Sequence, residues 1–125
     1  MLDEYGHGQL CSRFNVMGTS FDVMLKNLLL SHSAKVPLVL GQKINELERL
    51  VLGKRIIDNL SVISRLRDFN SIWNITKHGG LIFGSCVDFF YEEKIYSINR
   101  EKFEDETKKF TVLMGDFLNL MSRIR

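Results

Sequence analysis

The chain has 125 residues, 45% hydrophobic and 26% charged, which is the size and composition of one globular domain and excludes a disordered segment. Its 17 basic and 15 acidic residues leave a formal charge of +2, too balanced for nucleic-acid binding to follow from charge alone. Asp3 and Glu4 make the N-terminal residues unlike a signal peptide, and the longest uncharged stretch, His78 to Val87, is far shorter than the ~20 apolar residues of a membrane helix. The expectation is therefore a cytoplasmic protein with no membrane contact.

The first predicted helix runs from about Leu10 to Ser31. Phe14, Met17, Phe21, Met24 and Leu28 recur at spacings of 3 and 4 and line one face, with Leu25 and Leu29 widening the stripe. Gly18 interrupts that face and allows close helix contact. The only proline, Pro37, marks a boundary, because the residue before proline resists helical angles. A second helix follows over Leu40 to Leu52, with Leu40, Ile44, Leu47 and Val51 apolar and Gly53 as its stop. The third stretch, Lys54 to His78, reads as one long helix or two with a bend, closed by Gly79-Gly80.

The pattern then changes. Val87 to Tyr91 and Lys94 to Ile98 are rich in aromatic and β-branched residues around Glu92-Glu93, which predicts a short β-hairpin. Asn99 is a good N-cap for a last helix, with Glu101 in its first turn. Phe103, Phe110, Leu113, Phe117, Leu120 and Ile124 give that helix its buried face. The fold expected is all-α: a single domain over residues 1–125, an up-and-down bundle of four or five helices with a short β-hairpin insertion before the C-terminal helix. Three long amphipathic helices with wide apolar stripes also point to a homodimer.

The segment with chemical content is Arg67 to Gly80. At about 100° per residue, Arg67, Asn70, Asn74 and His78 fall on one face, and Leu66, Phe69, Trp73 and Thr76 on the adjacent one. A histidine at a helix C-terminus is more readily protonated and can move a proton near neutrality. An asparagine one turn earlier can orient it, and an arginine can neutralise phosphate. The same ladder can equally be structural, fixing the register of a helix–helix or dimer interface by hydrogen bonds. Trp73 reads as core rather than as a base-stacking platform.

Other residues carry less. His7 and His32 read as solvated residues of a tail and a loop, and no cluster has the spacing of a metal site. Cys11 and Cys86 read as reduced thiols, with an intrachain disulfide as the alternative. Gly79, Gly80 and Gly84 follow a helix, whereas a phosphate-cradling loop precedes one. Lys54, Arg55, Arg65 and Arg67 read as a solvated basic face or a phosphate-contacting strip, and Met17, Met24, Met114 and Met121 as fillers of core gaps. No cofactor is expected.

The pattern Asn74-x-x-x-His78-Gly79, late on a helix and followed by a short insertion and a final helix, resembles the HEPN superfamily. The resemblance covers about two thirds of the chain, from Leu40-Gly41-Gln42-Lys43-Ile44 to the C-terminal helix. It implies a small helical-bundle domain of prokaryotic toxin–antitoxin or abortive-infection systems, dimeric, and in many members a metal-independent ribonuclease. His78 and Asn74 would then be catalytic, and Arg67, Asn70 and Lys77 would contact the substrate. The family motif also has an arginine shortly before the histidine. Here those positions hold Ser71, Ile72 and Trp73, and Arg67 lies eleven residues before His78, roughly 16 Å along a helix. The resemblance thus leaves open an RNA-cleaving protein, an RNA- or nucleotide-binding one, and a silent module with a cognate protein partner.

Overall fold

The computed structural model describes residues 4–32, 35–56, 60–77, 80–83 and 86–124. Four helices account for most of them: α1 (Glu4–Ser31), α2 (Leu40–Gly53), α3 (Leu60–Thr76) and α4 (Arg100–Ile124). Between α3 and α4 lie three short strands, β1 (Leu81–Phe83), β2 (Cys86–Tyr91) and β3 (Lys94–Asn99). α1 packs against all three other helices, while α3 lies between α2 and α4.

The apolar stripes read from the sequence form the core. Phe14, Phe21, Leu25, Leu28 and Leu29 of α1 are buried, as are Leu40, Ile44, Leu47 and Val51 of α2. From α3 come Leu66, Phe69 and Trp73, and from α4 Phe103, Phe110, Leu113, Phe117, Leu120 and Ile124. Aromatic rings tie the layers together. Phe21 stands edge-on to Phe69, Phe110 and Phe117, and Phe69 lies 4.4 Å from Phe110 between ring centroids. Each such pair adds about 1 kcal/mol beyond the area it buries. Met17, Met24, Met114 and Met121 pack at the margin of this cluster, as gap-filling thioethers do.

The end of α2 differs from the glycine stop that the sequence suggests. Gly53 is its last helical residue, and the left-handed position falls to Arg55 at φ 58°. The Ile56 amide donates to the Val51 carbonyl and the Arg55 amide to Leu52, a Schellman closure that buries Ile56 in the core. The third helix consequently begins at Leu60 rather than Lys54, because burying Ile56 requires the chain to leave the helix first. At the other end, α1 begins at Glu4, so His7 belongs to a helix and not to a tail.

The sheet caps the bundle. β1, β2 and β3 pair antiparallel in that order, so the hairpin gains a third strand. Leu81-Ile82-Phe83 is too short a run between glycines to be recognised as a strand from its pattern. Val87, Phe89 and Ile98 face the core, with Phe89 6.0 Å from Phe103. A Cβ at Gly80 would stand 2.7 Å from the Asp88 carbonyl oxygen, so glycine is needed where the chain enters the sheet. Asn99 caps α4 as its sequence position suggests, its Oδ1 accepting from the Lys102 amide at 2.8 Å.

The hairpin turn is strained. Glu92 and Glu93 both take positive φ, 50° and 64°, the type I′ geometry that favours Asn-Gly. Glu92→Asn with Glu93→Gly is expected to raise stability by about 1 kcal/mol, read as a shift of the urea midpoint at unchanged m-value.

Candidate functional site

The part of the polar ladder formed by Arg67 and Asn70 lies on the flank of α3 that faces α2. On α2 it meets a second polar row, Gly41, Asn45 and Glu48, displaced by one residue from the apolar stripe of Leu40, Ile44 and Leu47. The Arg67 guanidinium donates to both Glu48 carboxylate oxygens, at 2.9 and 3.3 Å, and to Asn45 Oδ1 at 3.0 Å. Its two-pronged grip on Glu48 is the strongest geometry open to an arginine. It also pulls the Glu48 carboxyl below its ordinary value, the hydrogen bond from Arg67 being the main cause. A carboxylate held low in this way contributes stability above its unfolded pKa of 4.5 and loses it as pH falls through the depressed value.

One turn on, the Asn70 amide sits against the first turn of α2, where a Cβ on Gly41 would come within 3.2 Å of Asn70 Nδ2. That turn has no side-chain cap and no acidic residue. Asn74 and Lys77 are half-buried at the end of the helix. The Lys77 ammonium lies 5.0 Å from the Trp73 ring centroid, and the Lys77 amide closes the helix on the Trp73 carbonyl. His78 and Gly79, the other members of the motif, lie outside the described residues.

Trp73 is core, as its apolar face suggests. Its indole lies directly on Gly18 of α1, where α1 and α3 approach closely. Three buried polar atoms have no hydrogen-bond partner among the described residues: Trp73 Nε1, Asn15 Oδ1 and Asn70 Oδ1. Trp73 belongs to the α1–α3 contact at Gly18 and Asn70 to the α2–α3 contact at Gly41.

A second concavity lies on the opposite flank of α3, against α4. It has a volume of about 670 Å³, with a floor of Phe69, Ile72, Phe110 and Leu113. Arg65 at its edge pairs with Asp116 at 2.8 Å, so this arginine of the basic row is engaged across the α3–α4 interface. Lys54 and Arg55 stand exposed in the turn after α2. The basic residues near α3 thus face different sides, two of them paired with acids, and form no continuous strip.

Sequence reasoning missed Glu48 and Asn45, although the Gly41–Asn45–Glu48 spacing of 4 and 3 is a legible polar stripe on α2. It also missed the ion pair between Lys43 and Asp22, which has no motif. Cys11 and Cys86 form no disulfide, and burial raises the Cys11 thiol pKa, which favours its protonated form. Among the described residues no group of His, Cys, Asp or Glu could hold a metal ion, and no helix is long and apolar enough to cross a membrane.

The fold and this site define a small four-helix bundle with a sheet cap and a polar seam between α2 and α3. No protein-family profile, curated protein or solved structure matches the chain.

Proposed function

We propose that this chain is a non-catalytic helical interaction module, in which Arg67, Asn70 and Asn74 form a structural seam holding α3 on α2. The observation that carries this reading is the capture of Arg67 by Glu48 and Asn45. A guanidinium gripped by a carboxylate is already neutralised. For it to contact an RNA phosphate, the anion would have to displace Glu48 or bind beside a like charge. The arginine of the HEPN motif is missing from its own positions, and Arg67 has other work.

A second reading keeps the HEPN resemblance: an RNA-acting or nucleotide-binding protein of a prokaryotic defence or toxin–antitoxin system, with Asn74 and His78 as catalytic pair and Lys77 on the substrate. It is favoured by Asn74 in the last turn of α3 and Lys77 just after it, neither fully buried. The two readings part in one assay. Wild type and His78→Ala are incubated without metal on labelled total RNA, with thermal melts of the same samples. The interaction module is expected to leave RNA intact in both. Cleavage by wild type alone, at equal melting temperatures, would establish the ribonuclease and overturn the module.

A further inference from the structure

The outer face of α1 differs from the charged solvent side of α4. On α4 the solvent side carries Arg100, Lys102 and Lys109, paired along the helix with Glu104, Glu106 and Asp105. On α1, Val16, Thr19, Ser20, Val23, Asn27 and Leu30 are all exposed and fall within an arc of about 100°. None of the six is charged, and Val16, Val23 and Leu30, at 51–64% exposure, recur every seventh residue over about 21 Å. A face this long without charge is unusual for a solvated helix in a chain that is 26% charged.

The apolar surface continues past the helix. The Lys43 ammonium binds Asp22 on α1 at 2.6 Å and the Leu38 carbonyl at 3.1 Å, which fastens the loop before α2 beside the strip. Leu38 is 94% exposed there, with Val39 next to it. Val16, Val23, Leu30, Leu38 and Val39 together present on the order of 500 Å², where a stable interface buries about 800 Å² per partner. The polar residues between them supply the remainder.

We propose that this face is a self-association surface, on which a second copy of the chain packs its own α1 antiparallel about a two-fold axis through Val23. Val23 then meets its counterpart, and Val16 of each copy meets Leu30 of the other, since both lie seven residues from the axis. Charge selects this occupant and this orientation. An uncharged face meets its own copy without like-charge repulsion, the main obstacle to an isologous contact. The flanking cations, Arg13 and Lys26, are kept away from their own counterparts by the antiparallel arrangement, whereas a parallel one would align them. Antiparallel pairing also sets the two Leu38–Val39 knobs, each held beside Asp22, on either side of the axis, and it opposes the helix dipoles.

The proposal rests on the reading of the chain as an interaction module and names its partner. The two can fail separately, because one is decided by molecular mass and the other by RNA cleavage. The test is sedimentation equilibrium from 1 to about 200 µM on wild type, Val23→Glu and, as an exposed control on α4, Val112→Glu. Wild type and Val112→Glu are expected to pass from the 14.5 kDa of one chain to twice that mass. Val23→Glu is expected to raise the dimer dissociation constant more than about 30-fold at an unchanged melting temperature. Oxidation of a mixture of Val16→Cys and Leu30→Cys proteins is expected to cross-link the two, above the background of wild type. A wild type that stays at one chain's mass throughout would overturn the proposal, as would dimerisation of Val23→Glu equal to wild type. Cross-linking of Val16→Cys alone, with none in the mixture, would overturn the antiparallel arrangement.

Discussion

Gly18→Ala is expected to destabilise the protein by about 2–3 kcal/mol, although alanine is the better helix former by about 1 kcal/mol. Gly18 is buried in the middle of α1, and an ideal Cβ there would lie 2.3 Å from Trp73 Nε1 and 2.4–2.6 Å from two further indole atoms. No real Cβ contact is that short, so the helices must separate or the indole must turn. The ring cannot turn cheaply, because Trp73 is 8% exposed and belongs to the packed α3 face with Phe69 and Leu66. Urea unfolding measures the effect: the midpoint falls, and Trp73→Phe in the same chain recovers part of the loss by shortening the ring. A midpoint unchanged or raised by Gly18→Ala would show that helix propensity outweighs the contact.

Asp22→Ala is expected to cost about 3 kcal/mol, the loss that follows when one partner of a buried ion pair is removed. Lys43 lies in the first turn of α2, where a cation opposes the helix dipole. Its side chain is 6% exposed, and the Asp22 carboxylate at 2.6 Å is its neutralising partner. Asp22 itself is 29% exposed and can be rehydrated, so the pair is asymmetric. Lys43→Met removes the buried charge and keeps the chain length, and is expected to be neutral or stabilising. In the double variant the harm of Asp22→Ala disappears. A Lys43→Met protein as unstable as Asp22→Ala would contradict this account of the pair.

Much of the fold is legible from hydrophobic period alone, because each helix buries one stripe. The positions read on α2 and α4 are buried without exception, and the four residues assigned to the inner face of α3, Leu66, Phe69, Trp73 and Thr76, are all buried. Gly18 as a close-contact residue was legible for the same reason: it falls on the apolar face. The boundary at residues 54–60 was not, since a left-handed Arg55 carries no composition signal and its cause, the burial of Ile56, is tertiary. β1 was hidden because three residues are too few to show a period. At the site, Arg67, Asn70 and Asn74 lie on α3 as read, but the meaning of Arg67 depended on what stands opposite. Glu48 and Asn45 lie 19 and 22 residues away from Arg67, and no local pattern connects them to it. A sequence reader sees an arginine and supplies a phosphate; the structure supplies a carboxylate.

The central claim is that the ladder holds helices together. It is tested most directly by a double-mutant cycle on Arg67 and Glu48, with unfolding free energies of wild type, Arg67→Ala, Glu48→Ala and the double variant at pH 7 and again well below pH 4.5. The pair is partly solvated, so the expected coupling at pH 7 is about 1 kcal/mol, and it fades on acidification as Glu48 takes up its proton. Zero coupling at pH 7, with Arg67→Ala as stable as wild type, would contradict the claim and return Arg67 to the list of residues waiting for a ligand.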